Sequence, residues 1–374
     1  MLKIMVTAPG RVNLIGEHTD YNQGLVMPMA IELAMKIEAV PRQDRRITAS
    51  ALPLNRQAAF DLEELAPVSG RPRWIDYIKG VCWALREAGY PVPGADLKIR
   101  SSIPIGSGLS SSAALEVGVA VALNALSGTE LPLLETALLC QKAENQYVGV
   151  RCGIMDQMAV ALGREGHALL IDCRSLEYSH IPFSPEGCRL LIVDSRVQRS
   201  LGASEYNRRR EECEEALEQL AKITGRSFPS LREVKPEDLR EAEGRLPELL
   251  FRRSRYVVEE NRRVEDSARA LRAGDYAAFG ELMKGSHLGL RDLYQVSCAE
   301  LDLIVETALA VPGVLGARMT GAGFGGCAIV LAKSSVLEEV QARIREAFQR
   351  EGWREPLFYS TGAGAGVTVQ RIQA

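Results

Sequence analysis

One stretch, "ADLKIRSSIPIGSGLSSSAALEVGVAVALNALSG" from Ala95 to Gly128, limits the fold more than any other part of this chain. Its start alternates around Leu97 and Ile99, as a half-buried strand does. A loop follows over Pro104 to Gly108, and then Ala113 to Leu126 reads as a helix with almost no polar side. Such a helix must be enclosed, so the chain needs a sheet and further helices around it. This predicts an α/β (α+β) protein.

The rest of the chain can supply the enclosure. Its 374 residues exceed the size at which one core usually stops growing, which predicts two lobes. From Lys3 to about Val40 the sequence reads as a strand, a polar turn region and a second apolar stretch, in which Pro28 points to an edge or a bulge. Helices are expected at "WIDYIKGVCWALREAG", from Pro132 through Glu144 and Asn145, and after the loop in "CGIMDQMAVALG". Short strands are expected at "HALLIDC" and "RLLIVD". Beyond Ser195 two long charged helical stretches take over, one starting at "SEYNRRREEC" and one from Glu237 to Ala273. The lobe boundary is placed near Asp194, giving lobes 1–194 and 195–374. The mixed-sign run Arg208 to Glu215 reads as a solvated helix face.

Several function classes are disfavoured. Eight cysteines contain no Cys-x-x-Cys pair and no neighbouring histidine cluster, against a zinc site or a disulfide framework. The start lacks the basic flank and long apolar run of a signal peptide, and no run of about 18 apolar residues occurs. A cytoplasmic protein without a membrane partner is expected. A net charge of −3 gives no general attraction to nucleic acid, so a small molecule is the expected partner.

Three segments carry candidate chemistry. In "PIGSGLSSSAA" two glycines permit close approach of backbone amides to an anion, three serines add hydroxyls, and the helix behind offers free N–H groups, which together make a phosphate cradle. No lysine follows, so the loop is not a Walker A motif. In "MTGAGFGGCAIVLA" the glycines lead into a strand, whereas a dinucleotide motif leaves a strand and opens a helix; a tight turn packed on another loop or a phosphate fits better. In "GRVNLIGEHTDYNQG" Glu17, His18 and Asp20 can pair with sugar hydroxyls and Arg11 supplies a fixed charge. Glu144 and Asp156 are the further acidic candidates, for taking a proton or holding a metal.

In order, these motifs resemble the galactokinase family of the GHMP small-molecule kinase superfamily. "GRVNLIGEHTDY" is similar to its galactose motif, "PIGSGLSSSAA" to its ATP phosphate loop and "TGAGFGGC" to its third motif, and "WIDYIKG", "CGIMDQ" and "SHLGLRDLYQVSCAELD" extend the similarity along the chain. The resemblance implies an N-terminal lobe like the ribosomal S5 second domain, a ferredoxin-like C-terminal lobe and a site in the cleft. It implies transfer of the ATP γ-phosphoryl group to the galactose O1 hydroxyl, with Asp156 catalytic and Arg11 its electrostatic partner. Glu17, His18, Asp20, Gly153 and Tyr206 would bind the sugar. Gly106, Gly108, Ser110, Ser111 and Ser112 would hold phosphate, Trp74 would line the adenine pocket, and Ser112 with Glu144 would attend Mg2+. A monomer is expected. Another sugar, such as N-acetylgalactosamine or a pentose, is the rival substrate reading, and a non-catalytic sugar and ATP sensor the rival class; the intact "GLSSSAA" speaks against the sensor. Ala322, where many relatives have glycine, and Gly289, where serine is common, depart from the pattern.

Overall fold

The computed structural model describes residues 2–52, 55–68, 70, 72–104, 106–197 and 202–373. Ile105 of the expected phosphate loop lies outside them. The first part of the chain runs β1 (Leu2–Asn13), β2 (Leu25–Val26), β3 (Pro28–Pro41), β4 (Arg46–Leu52), β5 (Arg56–Asp61), α1 (Trp74–Glu87) and β6 (Ala95–Ser101). It continues with α2 (Ser111–Ser127), α3 (Leu133–Lys142), α4 (Met155–Leu162), β7 (His167–Asp172), β8 (Tyr178–Pro182) and β9 (Cys188–Asp194). Then come α5 (Gly202–Thr224), α6 (Pro236–Ala242), α7 (Glu248–Arg272), α8 (Tyr276–Leu288) and α9 (Ala299–Leu309). The chain ends with β10 (Val314–Thr320), β11 (Cys327–Lys333), α10 (Leu337–Arg350), β12 (Leu357–Thr361) and β13 (Thr368–Gln373).

Six strands form one sheet in the order β13-β1-β3-β6-β4-β5, with β4 and β6 parallel and the other pairs antiparallel. The parallel pair needs a long crossover, and α1 lies within it. Strand β3 is therefore central, not the edge that Pro28 suggested. Pro28 is its first residue, where a missing N–H costs no ladder bond. The buried helix anticipated after the serine loop is α2, which packs with Ala113, Ala114, Val117, Val119 and Ala120 in the core against β1 and β3.

A second, antiparallel sheet has the order β10-β11-β9-β12. Its strands alternate between two cores. Leu190 and Ile192 of β9, with Ile329 and Leu331 of β11, join the core around α2, while Leu191, Val193, Ala328 and Val330 face a second core with α5, α7 and α9. The period of two lets one sheet seal both. Strand β9, on the near side of the expected boundary, thus pairs in the second sheet, and β13 returns to the first.

The stretch Glu237 to Ala273, read as one helical run, is two helices broken around Gly244 and Pro247. The run Arg208 to Glu215 is not uniformly solvated either: Arg209, Glu212 and Cys213 are buried, and Arg209 donates to the Tyr294 and Gln295 carbonyls at 2.9 Å each. Every third or fourth residue of α5 turns inward, and there the charges pair with each other and with Arg253 (Nε to Glu212 Oε2, 2.6 Å). Among the described residues no helix is long and apolar enough to cross a membrane.

Candidate functional site

Arg11, near the end of β1, is where the glycine-serine loop and the acidic loop meet. Its backbone N–H donates to the Leu109 carbonyl (3.2 Å), which lays the loop along the strand. Its guanidinium donates through Nε and Nη2 to the two carboxylate oxygens of Asp156, each at 2.7 Å, and through Nη1 to Gly108 O at 2.7 Å. Bidentate pairing fixes the carboxylate plane. The guanidinium side chain is 6% exposed and that of Asp156 28%, so the cation is sealed behind a carboxylate that stays partly open to solvent.

Ser110 also donates to Asp156, through Oγ to Oδ2. Its left-handed backbone (φ +57°) turns the hydroxyl there and away from the helix it precedes. The hydroxyl anticipated as a phosphate ligand is therefore committed to the carboxylate. No side chain caps α2 and its first turn holds no acidic residue, so the N–H groups of Ser111 and Ser112 and the positive helix end stay available to an anion. Gly106 and Gly108, both at positive φ, make the bend that leads to it. Trp74 opens α1, half-buried at the margin of the core.

Asp20, in a short turn after β1, packs against Gly153. A Cβ on Gly153 would lie 1.8 Å from Asp20 Oδ2, so glycine is what allows the two loops to meet. Burial, then the charge of Asp156 and that of Glu17, push the Asp20 carboxyl up to about 6. Tyr206 is pushed well up by burial and by the nearby Asp20 charge, and its ring lies 5.2 Å from that of Tyr21. His18 stacks on Tyr206 and Tyr294, with ring centroids 5.3 and 5.0 Å away. Its Nε2 lies 3.1 Å from the Ala322 carbonyl, which can only accept, so that nitrogen carries the proton; Nδ1 is 2.9 Å from the Tyr21 hydroxyl.

Glu17 behaves differently. It is 1% exposed, and Oε1 accepts from Gly321 N–H (2.6 Å) with Thr320 Oγ1 at 3.3 Å, while Oε2 accepts from Asn13 Nδ2 (2.5 Å) and lies 2.9 Å from Arg318 Nη2. In this arrangement it fastens the first motif to the turn of the third. Burial raises its pKa despite the Arg318 charge. The third motif is a β-hairpin turn between β10 and β11, with Phe324 N–H donating to Val296 O at 2.7 Å, as the tight-turn reading expected.

Glu144 lies in a π-helical turn, Ala143–Val148, that ends α3. Its Oε2 accepts from Gln157 Nε2 (2.7 Å) and the Cys152 thiol (3.5 Å). Gln157 Nε2 also lies 3.3 Å from Glu116 Oε2. Glu116 and Gln157 are fully buried, and the Glu116 carboxyl also hydrogen-bonds the Glu144 carboxylate. Burial, then the Asp156 charge, push Glu144 up to about 7. Burial and the Glu144 charge push Glu116 well above the carboxylate range. Glu116 sits one helical turn beyond Ser112 on α2, so the two share a face.

Sequence reasoning missed Glu116, Gln157, Tyr294 and Arg318. Only Glu116 carried a signal, as the lone charge inside an otherwise apolar helix. Among the described residues no group of three or more His, Cys, Asp or Glu is gathered to hold a metal. A cation here would rest on the Ser112 hydroxyl, the Glu144 carboxylate and ligands from a bound nucleotide. These are hard oxygen donors of the kind Mg2+ takes.

Residues 2–40 match the galactokinase galactose-binding signature, residues 76–164 the N-terminal domain of GHMP kinases and residues 267–350 their C-terminal domain. The galactokinase of Roseiflexus sp. (strain RS-1) is 45% identical over 364 residues, 97% of this chain and 92% of that protein. The galactokinase of Homo sapiens is 47% identical over 373 residues, 98% and 92% of the respective lengths. The solved structure of Lactococcus lactis galactokinase complexed with galactose superposes with a TM-score of 0.93 at 38% identity, covering 98% of this chain and 95% of that one. Methanococcus jannaschii mevalonate kinase, at 23% identity and a TM-score of 0.65 over 96% of this chain and 98% of its own, shares the fold.

Proposed function

The chain belongs to the galactokinases of the GHMP kinase family, with that family's two-domain fold, and from this premise we propose which residues perform each part of the reaction. It is an enzyme that transfers the ATP γ-phosphoryl group to the O1 hydroxyl of α-D-galactose. The O1–P bond forms as the bond from the γ-phosphorus to the β–γ bridging oxygen breaks, ADP leaves, and the O1 proton passes to a base.

Asp156 is that base. Arg11 and Ser110 both occupy Oδ2, whereas among the described residues Oδ1 accepts from Arg11 Nε alone and keeps a lone pair for the sugar O1–H. Holding the carboxylate rigidly at the acceptor converts binding into rate, because a fixed attack geometry avoids the entropy of finding it. The Gly106–Gly108 bend, the backbone N–H groups of Ser111 and Ser112, and the α2 dipole bind phosphate, and Trp74 lines the base pocket. Asp20 and Tyr206 bind sugar hydroxyls, with Gly153 setting the position of Asp20; His18 packs the sugar side by its ring. Ser112 and Glu144 hold Mg2+, which supplies charge neutralisation for the phosphates when bound. The chain works as two lobes in which 1–194 carries the phosphate loop and 195–374 brings Tyr206, the β9 and β13 exchanges linking them.

One observation carries this assignment: a single arginine grips both the acidic loop and the glycine-serine loop. The test is ADP release by purified protein with ATP and a panel of sugars. Galactose is expected to give the highest kcat/KM. A higher value with N-acetylgalactosamine or a pentose overturns the substrate, and nucleotide binding without sugar-dependent ADP release overturns the reaction.

A further inference from the structure

Glu144 offers two oxygens, and the protein has already chosen between them. Oε2 is held by the Gln157 amide and the Cys152 thiol, which leaves Oε1 as the oxygen they do not engage. Gln157 follows Asp156 directly on α4 and is fully buried, so the same helical turn that aims the base also aims this amide. Behind it, Glu116 on α2 lies against the same Nε2 at 3.3 Å and also hydrogen-bonds the Glu144 carboxylate. The amide thus spans two carboxylates. Its two N–H bonds suit one acceptor on each side, and a side chain without them would leave Glu144 unrestrained in its turn.

We propose that Gln157 is a positioning residue for the magnesium site, fixing Glu144 so that Oε1 faces the cation, and that Glu116 holds the Gln157 amide in place from behind. This rests on Glu144 being a magnesium ligand. Partners that orient a ligand in this way usually contribute about 10–100-fold to metal affinity. The link also ties the metal ligand to the base: a shift of α4 moves both together.

The test measures Mn2+ binding to the full chain with ADP by electron paramagnetic resonance, alongside galactose affinity by calorimetry without metal and thermal unfolding. Gln157→Leu is expected to weaken Mn2+ about 10-fold or more while galactose affinity changes less than about 2-fold. Glu144→Gln is the control for the underlying assignment. If it leaves Mn2+ affinity unchanged, the ligand assignment fails; if it weakens Mn2+ and Gln157→Leu does not, the positioning role fails. Equal loss of Mn2+ and galactose binding in Gln157→Leu, or a general loss of stability explaining both, overturns positioning in favour of a packing role. A wild-type crystal structure with ADP and Mg2+ decides independently of any variant. Metal on Glu144 Oε1 with Gln157 still on Oε2 supports the proposal, and metal on Oε2 overturns it.

Discussion

Glu17 and Glu144 are both buried carboxylates, yet their surroundings are opposite. Glu17 sits among three N–H donors and a hydroxyl, one donor being the Arg318 guanidinium. Glu144 has an amide that it shares with Glu116, one thiol, a hydrogen bond with the Glu116 carboxyl but no cationic partner among the described residues, and the Asp156 charge nearby. Burial without donors is costly, and a fold that needed only stability would not keep such a carboxylate. The saturated group is a fastening; the donor-poor one is addressed to something that arrives from solution. The difference separates structural acid from functional acid where residue type alone does not.

The sharpest way to break this contrast is at the functional pole. Asp156→Ala is expected to reduce kcat by about 10²–10⁴-fold, read in a coupled ADP assay, with the circular dichroism spectrum retained. Turnover close to wild type removes Asp156 from the chemistry. At the structural pole, Arg318→Met strands the Glu17 charge and is expected to cost about 3–5 kcal/mol in urea unfolding. Adding Glu17→Gln should restore much of that loss, and a loss of sugar binding at full stability would instead make Glu17 a ligand.

Gly153→Ala probes the seam between the poles. Its new methyl must displace Asp20, and a misplacement of this size is expected to lower kcat/KM for galactose by up to about 10²-fold, with KM rising, while nucleotide affinity holds. A variant with normal KM would show that Asp20 is not a sugar contact. The smallest effect is on stability against pH. Asp20 binds its proton more tightly in the folded chain, at about 6 against an ordinary 3.8. Its contribution is full below pH 3.8 and is lost as pH rises through about 6, so Asp20→Asn should flatten urea stability across that window in the sugar-free protein. An unchanged profile would show that Asp20 ionises normally.

Much of this was legible in the sequence where the signal is local. The strand, loop and helix from Ala95 to Gly128 announce themselves by alternation, glycine-serine punctuation and an apolar run. The tight-turn reading of the third motif followed from a strand lying after its glycines; that a strand also precedes them, making a hairpin, did not. What stayed hidden depends on distant partners or on slight changes of backbone. The fastening role of Glu17 stays hidden until Gly321, 304 residues downstream, donates to it. Arg209 and Glu212 look solvated until α5 is packed and the Tyr294 and Gln295 carbonyls arrive. The π turn that presents Glu144 is a slip of hydrogen bonding that hydrophobic period does not encode. The division near Gly244 and Pro247 was written in those residues, but the charged pattern on both sides masked it.

The pairing of β13 with β1, from Leu2 against Gln373 to Thr7 against Thr368, has a bearing on biosynthesis. The strand that carries Arg11 is made well before β13, so its outer edge waits for a partner translated long afterwards. Until then a row of open amides and carbonyls is available to other nascent chains. Newly emerging polypeptide therefore has its greatest need of chaperone shielding at this margin, and truncation before Thr368 should show itself first as aggregation rather than as altered kinetics.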